Sequence, residues 1–70
     1  MRVQNNEIQV GSIYVLYGFV KFGNNVESRV IVDKVAAVTD RFVFTESGYA
    51  FIKSNTLNVY EDTENLYKEW

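Results

Sequence analysis

The segment SIYVLYGFVKFGNNVESRVIVDK, residues 12–34, decides the fold of this 70-residue chain. Its first half consists mainly of β-branched and aromatic residues, which suit a pleated, half-buried strand. Gly23, Asn24 and Asn25 interrupt this run, and glycine and asparagine adopt the positive φ angles of tight turns at the least cost. The segment therefore predicts a β-hairpin in which residues 18–22 pair with residues 26–32.

Beyond the hairpin, the alternation of apolar residues changes phase. Val30 and Val32 share one face of a strand, but the next position on that face is Lys34, and apolar residues resume at Val35. One extra residue in a strand shifts the phase in this way. We therefore expect a β-bulge, and a bend in the strand, at Lys34.

Two further strands are predicted in RFVFTE, residues 41–46, and YAFIK, residues 49–53, with a turn at the intervening Ser-Gly pair. After them, Leu57 and Tyr60 lie three residues apart, as a single helical or 3₁₀ turn would place them. The strand pattern therefore ends near residue 60.

The last residues predict a short C-terminal helix, about residues 63–70. Acidic residues precede Lys68, which matches the helix macrodipole, and Asp62 or Thr63 could be the N-cap. Leu66 and Trp70 would share one face of this helix. We expect that face to dock on the remainder of the domain or on a partner.

The order of these features resembles small SH3-like barrels, in which a Val-Gly-x-x-Tyr start leads through a long hairpin to a bent strand, two more strands and a 3₁₀ turn. Val10, Gly11 and Tyr14 match that start. The resemblance covers about residues 8–60 and implies a mostly β fold, a small antiparallel SH3-like or OB-like barrel of about five strands. With the helix, residues 1–70 would form a single domain. Short proteins of this kind are frequent in bacteriophages and mobile elements.

The stretch YGFVKF, residues 17–22, also resembles the end of the aromatic signature of RNA-recognition motifs. Only sixteen residues precede it, without helical periodicity, so the first strand and helix of that domain have no place. Cold-shock domains carry a similar strand, but their flanking Trp-Phe and Phe-Val-His strands have no counterpart here. Phe19 and Phe22 should point to opposite faces, and we expect one of them in the core.

Two groups of candidate binding residues remain. By the period of two in a strand, Tyr17, Phe19 and Lys21 share one face. Such a row can stack single-stranded bases or contact a peptide. The second group is Tyr67 and Trp70 in the acidic C-terminal segment, which would form an acidic-aromatic arm against a basic patch on a partner.

Catalysis and metal binding are disfavoured by composition. The chain has no histidine and no cysteine, so it lacks the commonest general base and the most reactive nucleophile. A zinc site would need carboxylates alone, which are poor zinc ligands as a set, and the four glycines form no phosphate-binding loop. We expect no enzyme, no cofactor and no metal site.

The charge balance favours a protein partner. The net charge is −2 with a pI near 4.9, whereas nucleic-acid-binding domains commonly have a pI above about 9. No signal peptide or apolar run of about 18 residues is visible, so we expect a cytoplasmic protein (in the host cytoplasm, if phage-encoded) without a membrane partner.

The main hypothesis is therefore a non-catalytic protein-binding module, an accessory or inhibitory factor of a phage or mobile element that acts on a host or partner protein. The first alternative is a single-stranded nucleic-acid binder that uses Tyr17, Phe19 and Lys21, with nearby basic residues Arg29, Arg41 or Lys53. The second is a structural subunit of a homo-oligomer, because a small all-β chain leaves edge strands.

Overall fold

The computed structural model describes residues 2–54 and 56–68, and most of them are in β-strands. The six strands are β1 (Arg2–Val3), β2 (Ile13–Phe22), β3 (Asn25–Val38), β4 (Phe42–Thr45), β5 (Ala50–Ile52) and β6 (Asn58–Glu61). They form one antiparallel sheet in the order β1-β6-β2-β3-β4-β5, and 3₁₀ turns cover Asn5–Glu7 and Leu66–Lys68. The prediction of a mostly antiparallel β fold is confirmed, but β1 and β6 are strands that the sequence did not predict. The helical or 3₁₀ turn expected at Leu57 and Tyr60 is wrong, because β6 pairs there with β1 and β2. Within the described residues, no helix is long and apolar enough to span a membrane.

The predicted hairpin is the longest ladder of the sheet. β2 and β3 pair continuously from Ile13 opposite Lys34 to Phe22 opposite Asn25, which leaves Gly23 and Asn24 as a two-residue loop. Gly23 has a φ of 58° and is the first loop residue, the position at which a type II′ turn requires glycine. The ladder extends beyond the predicted residues 18–22 because the alternation of β2 continues back to Ile13.

The predicted bulge is present, but it lies after Lys34. Val35 pairs with Thr45 whereas Ala37 pairs with Phe44, so two residues of β3 advance while β4 advances by one. The first part of β3 pairs with β2 and its last part with β4. The register of the β2–β3 ladder is unbroken, so the bulge affects the part of β3 that pairs with β4.

The core lies on one side of β2. Among the described residues, the buried side chains of this core are Tyr14, Leu16, Val20, Ile31, Val35, Val43, Phe51, Leu57 and Val59. Burying an aliphatic or aromatic side chain of this size contributes about 1.5–3 kcal/mol relative to leaving it exposed. Tyr14 is accommodated because its hydroxyl oxygen accepts a hydrogen bond from the backbone N–H of Gln9, at 3.0 Å.

Gly18 is the position at which β2 approaches Leu57 most closely. A Cβ atom at residue 18 would lie 3.0 Å from Leu57 Cδ1 and 3.3 Å from Leu57 Cα. Leu57 is itself fully buried and has little room to move. The glycine in YGFVKF is therefore explained by core packing rather than by a nucleic-acid-binding signature.

The prediction of a C-terminal helix over residues 63–70 is wrong within the described residues, where only the 3₁₀ turn Leu66–Lys68 forms. Asn65 has a φ of 56°, which interrupts a right-handed helix. The Asp62 carboxylate accepts hydrogen bonds from the backbone N–H groups of Leu66 at 2.8 Å and Tyr67 at 3.0 Å, so it caps a local turn instead of a helix. A helix of this length is also marginal in water. Trp70, the last residue of the predicted helix, lies outside the described residues.

We expect Gly18→Ala to lower the free energy of unfolding by about 1–2 kcal/mol, because overpacking against Leu57 outweighs the entropy that alanine removes from the unfolded chain. Urea denaturation measures this change. In a Leu57→Ala background the same substitution should cost less, because the space is then open. A Gly18→Ala variant as stable as the original chain would contradict the close packing.

Candidate functional site

The candidate residues Tyr17, Phe19 and Lys21 point away from the core. Burial alternates along this part of β2, with Gly18 and Val20 buried and the candidate residues exposed. Tyr17 is 50% exposed and Phe19 is 40% exposed, which is high for large aromatic side chains. The structure therefore places all three side chains on one solvent-facing side of the strand.

Neighbouring strands extend this surface. We call it the outer face, and it comprises Val15, Tyr17, Phe19, Lys21, Val26, Ser28, Val30, Val32, Asn58 and Tyr60, which are paired across β6, β2 and β3. Tyr17 lies between Val30 and Asn58, and Phe19 lies opposite Ser28. Val26, Val30 and Tyr60 are exposed as well. Exposed apolar side chains that adjoin in this way commonly mark an interaction site.

The C-terminal turn covers one end of the outer face. Val32 is only 3% exposed although it points away from the core, and the turn at Leu66–Lys68 contacts β3. A groove of about 270 Å³ lies beside this turn, and it is lined by Val15, Tyr60, Glu61, Asp62, Thr63, Glu64 and Leu66. Tyr67 belongs to this turn, so it lies near the covered end of the outer face, whereas Lys21 lies at the opposite end. The Tyr67 side chain is exposed. Trp70 lies outside the described residues, so the structure does not place it.

Charge is distributed unevenly along the outer face. Lys21 lies at the hairpin end, while Glu61, Asp62 and Glu64 line the groove at the other end. Lys21 lies six positions after Val15 on β2, so their Cα atoms are about 20 Å apart along the strand. Lys34 follows Val32 on the same face, so the groove end carries one basic residue beside three acids. An apolar middle therefore separates Lys21 from an end that is acidic on balance.

The other basic residues considered for nucleic-acid binding lie elsewhere. The Arg29 guanidinium lies 5.5 Å from the centre of the Phe22 ring and bonds Glu27, on the side of β3 opposite the outer face. Lys53 donates from Nζ to the Thr39 carbonyl oxygen and from its backbone N–H to the Arg41 carbonyl oxygen. Lys53 and Arg41 therefore lie together at the β3–β4 turn. Arg29, Arg41 and Lys53 therefore do not lie beside Lys21 on the outer face.

The expectation that Phe19 or Phe22 lies in the core is wrong. Phe22 points to the side opposite Phe19, but the hairpin extends past the core there, and the ring packs edge-on against Tyr49 at 6.2 Å and stays exposed. Phe51 occupies the core instead, opposite Val20. Its residue type and alternation resemble those of Phe19, and only the pairing of distant strands distinguishes the two.

Asp33 is the residue with unusual electrostatics that sequence reasoning missed. It is 3% exposed, and its two carboxylate oxygens accept hydrogen bonds from the backbone N–H groups of Lys34 at 2.8 Å and Ser47 at 3.1 Å. Burial alone would raise its pKa, but hydrogen bonds from Thr45, Lys34 and Ser47 outweigh burial, so the pKa lies below its ordinary value. The signal in the sequence is an acid inside an apolar strand, VIVDKV.

This arrangement makes Asp33 a structural anchor. Both oxygens are occupied, and they tie β3 to the turn between β4 and β5. Among residues 2–54 and 56–68, no group of three or more acidic side chains is close enough to hold a metal ion.

Comparison with known proteins adds no relative: the chain matches no protein-family model, no curated protein and no solved structure at a significant level.

We expect Asp33→Asn to lower the free energy of unfolding at pH 7 by about 1–3 kcal/mol, because a carboxylate that accepts several hydrogen bonds is replaced by an amide with one acceptor oxygen. A folded-state pKa below the unfolded value of about 3.9 stabilises the fold above that pH and loses this contribution as the pH falls through the folded pKa. The difference between the two proteins should therefore shrink below about pH 4. Denaturation of both proteins from pH 7 to pH 3 measures it, and a difference that does not change with pH would contradict this role.

Proposed function

We propose that this chain is a non-catalytic protein-binding module whose outer face is the binding surface. The observation that carries the proposal is the exposed, aromatic and apolar outer face, with Tyr17 and Phe19 at its centre. Tyrosine and other aromatic residues are enriched in protein interfaces and in their energetically dominant positions.

We also propose that the sheet closes as a small SH3-like barrel. The observed order of elements, a long hairpin, a bent third strand, two short strands and a turn before β6, supports this fold. The pairing of Val20 with Phe51 supports closure, because it brings the last strand of the order back beside β2. An accessory or inhibitory role in a phage or mobile element, acting in the host cytoplasm, follows from the resemblance alone and remains a prediction.

The charges favour a protein over single-stranded nucleic acid. A strand of nucleic acid is tracked by a positively charged groove. The outer face has Lys21 at one end, whereas Asp62 and Glu64 lie at the other and would repel phosphates. Arg29, which could have extended the basic end, lies on the opposite side of β3.

The same charges define the kind of partner. Its contact segment would place apolar side chains over Tyr17 and Phe19, an acidic group near Lys21 and a basic group near the acidic groove. Opposite charges at the two ends of an apolar strip set the orientation of binding more than its strength. The partner is therefore expected to bind in one direction along β2.

Tyr17→Ala combined with Phe19→Ala should weaken binding of a partner at least tenfold, since truncating central aromatic contacts costs 2 kcal/mol or more. The partner would be captured with the intact chain, purified, and titrated by isothermal calorimetry. Phe44→Ala is the matched control, because Phe44 is an exposed aromatic residue on β4 outside the outer face. Circular dichroism verifies that all variants fold.

Equal affinity of the double variant and the control would refute the outer face as the binding surface. A parallel titration with labelled poly-dT and poly-U at low and moderate salt tests the nucleic-acid alternative. Binding that weakens with salt and is lost in Lys21→Ala would replace the proposed function, because phosphate contacts release counterions.

A further inference from the structure

The first part of β3 is an open sheet edge. Residues 26–30 pair with β2 on one side, whereas the pairing of β3 with β4 begins only at Val35. Within the described part of the chain, no strand pairs with the other side of residues 26–30, and all five residues are exposed. A strand edge of this length commonly pairs with another strand.

Backbone hydrogen bonds show which residues face this edge. The Val35 N–H donates to the Ser12 carbonyl on the β2 side, at 3.0 Å, while the Lys34 carbonyl accepts from the Glu46 N–H on the opposite side, at 2.9 Å. Successive residues of an antiparallel strand direct their backbone groups to alternate sides. Lys34 is even-numbered, so Val26, Ser28 and Val30 direct their N–H and C=O groups to the open edge.

We propose that a second copy of this chain occupies the edge, by antiparallel pairing of β3 with β3 about a two-fold axis at Ser28. In this register, Ser28 opposes Ser28 of the second copy, and Val26 opposes Val30. Glu27 opposes Arg29 of the second copy, and Arg29 opposes its Glu27. The outward-directed backbone groups of residues 26, 28 and 30 then all find partners.

The side chains are self-complementary in this register and in no adjacent one. Glu27 and Arg29 bond each other at 3.0 Å within one strand, and their side chains are 49% and 45% exposed, so both can also reach a second strand. They fall in the non-hydrogen-bonded pairs, where opposing side chains are closest. A shift of the two-fold axis to residue 27 or to residue 29 would oppose Glu27 with Glu27 or Arg29 with Arg29, which is destabilising.

The two copies would share one outer face. Val26 and Val30 belong to it, and their pairing across the axis joins the two surfaces into one sheet face. The dimer would thus present Tyr17 and Phe19 twice. The dimer uses backbone groups along the open edge of β3, whereas the protein partner would contact side chains on the outer face. The two proposals can therefore fail independently.

Sedimentation equilibrium of the full chain at concentrations up to about 1 mM tests the dimer. The intact chain should dimerise, and Ser28→Pro should abolish the dimer, because proline removes the central N–H donor while remaining compatible with a strand edge. Ser28→Ala is the matched control, since it keeps that N–H and should dimerise like the intact chain. Circular dichroism reports whether the proline variant folds.

Charge exchange provides a test that does not rely on proline. Glu27→Arg and Arg29→Glu should each raise the dissociation constant of the dimer about tenfold or more, because like charges then oppose each other. An equimolar mixture of the two variants should restore association as a heterodimer, and the double exchange in one chain should restore the homodimer. A monomer throughout the concentration range, or a dimer that none of these changes affects, would overturn the proposal.

Discussion

The structure depends on β2 having neighbours on both sides. β3 pairs along its whole length on one side, while β6 and β5 share the other side, β6 along the first half and β5 at Val20. This arrangement fixes which face of β2 is buried. It requires Gly18 to lack a side chain, because Leu57 lies against that position. Because side chains alternate along a strand, Tyr17 and Phe19 point to the other face and are exposed.

A chain of 70 residues cannot cover both sides of such a sheet. The core uses the apolar residues of one side, and among the described residues the C-terminal turn that contacts β3 covers part of the other side. Asp62 makes that turn by accepting two backbone hydrogen bonds. The remainder of the outer face is apolar surface that folding leaves exposed, and this is why we place function there. The strongly buried acid Asp33 has both oxygens engaged in stabilising the fold.

The proposed dimer follows from one geometric fact. The hairpin is longer than the part of it that β4 and β5 flank, so β3 has an open edge and Phe22 lies beyond the core. Within the described residues, no buried polar side-chain atom lacks a hydrogen-bond partner. The backbone groups of residues 26, 28 and 30 face the open edge at the surface. A partner strand there would extend the sheet without disturbing the core.

The sequence by itself determined the local features of this protein. The hairpin follows from the type II′ preference of Gly23 and from the alternation of β2, and the position of Tyr17, Phe19 and Lys21 on one face follows from the period of a strand. The bulge was predictable to within a few residues because it changes the phase of the apolar pattern.

Only the tertiary structure decided the features that depend on distant residues. Phe51 and Phe19 have similar local sequence, and the pairing of β5 with β2 is what buries one ring and leaves the other exposed. The helix expected at residues 63–70 failed because the Asp62 carboxylate accepts from the N–H groups of Leu66 and Tyr67, which a helix would pair with the carbonyl groups four residues earlier; propensity does not describe this competition. The partners of Asp33 were likewise decided by the fold, because its hydrogen bond from Ser47 crosses fourteen residues of sequence. Local preferences act between neighbours in the chain, whereas burial is set by which distant strands pair with each other.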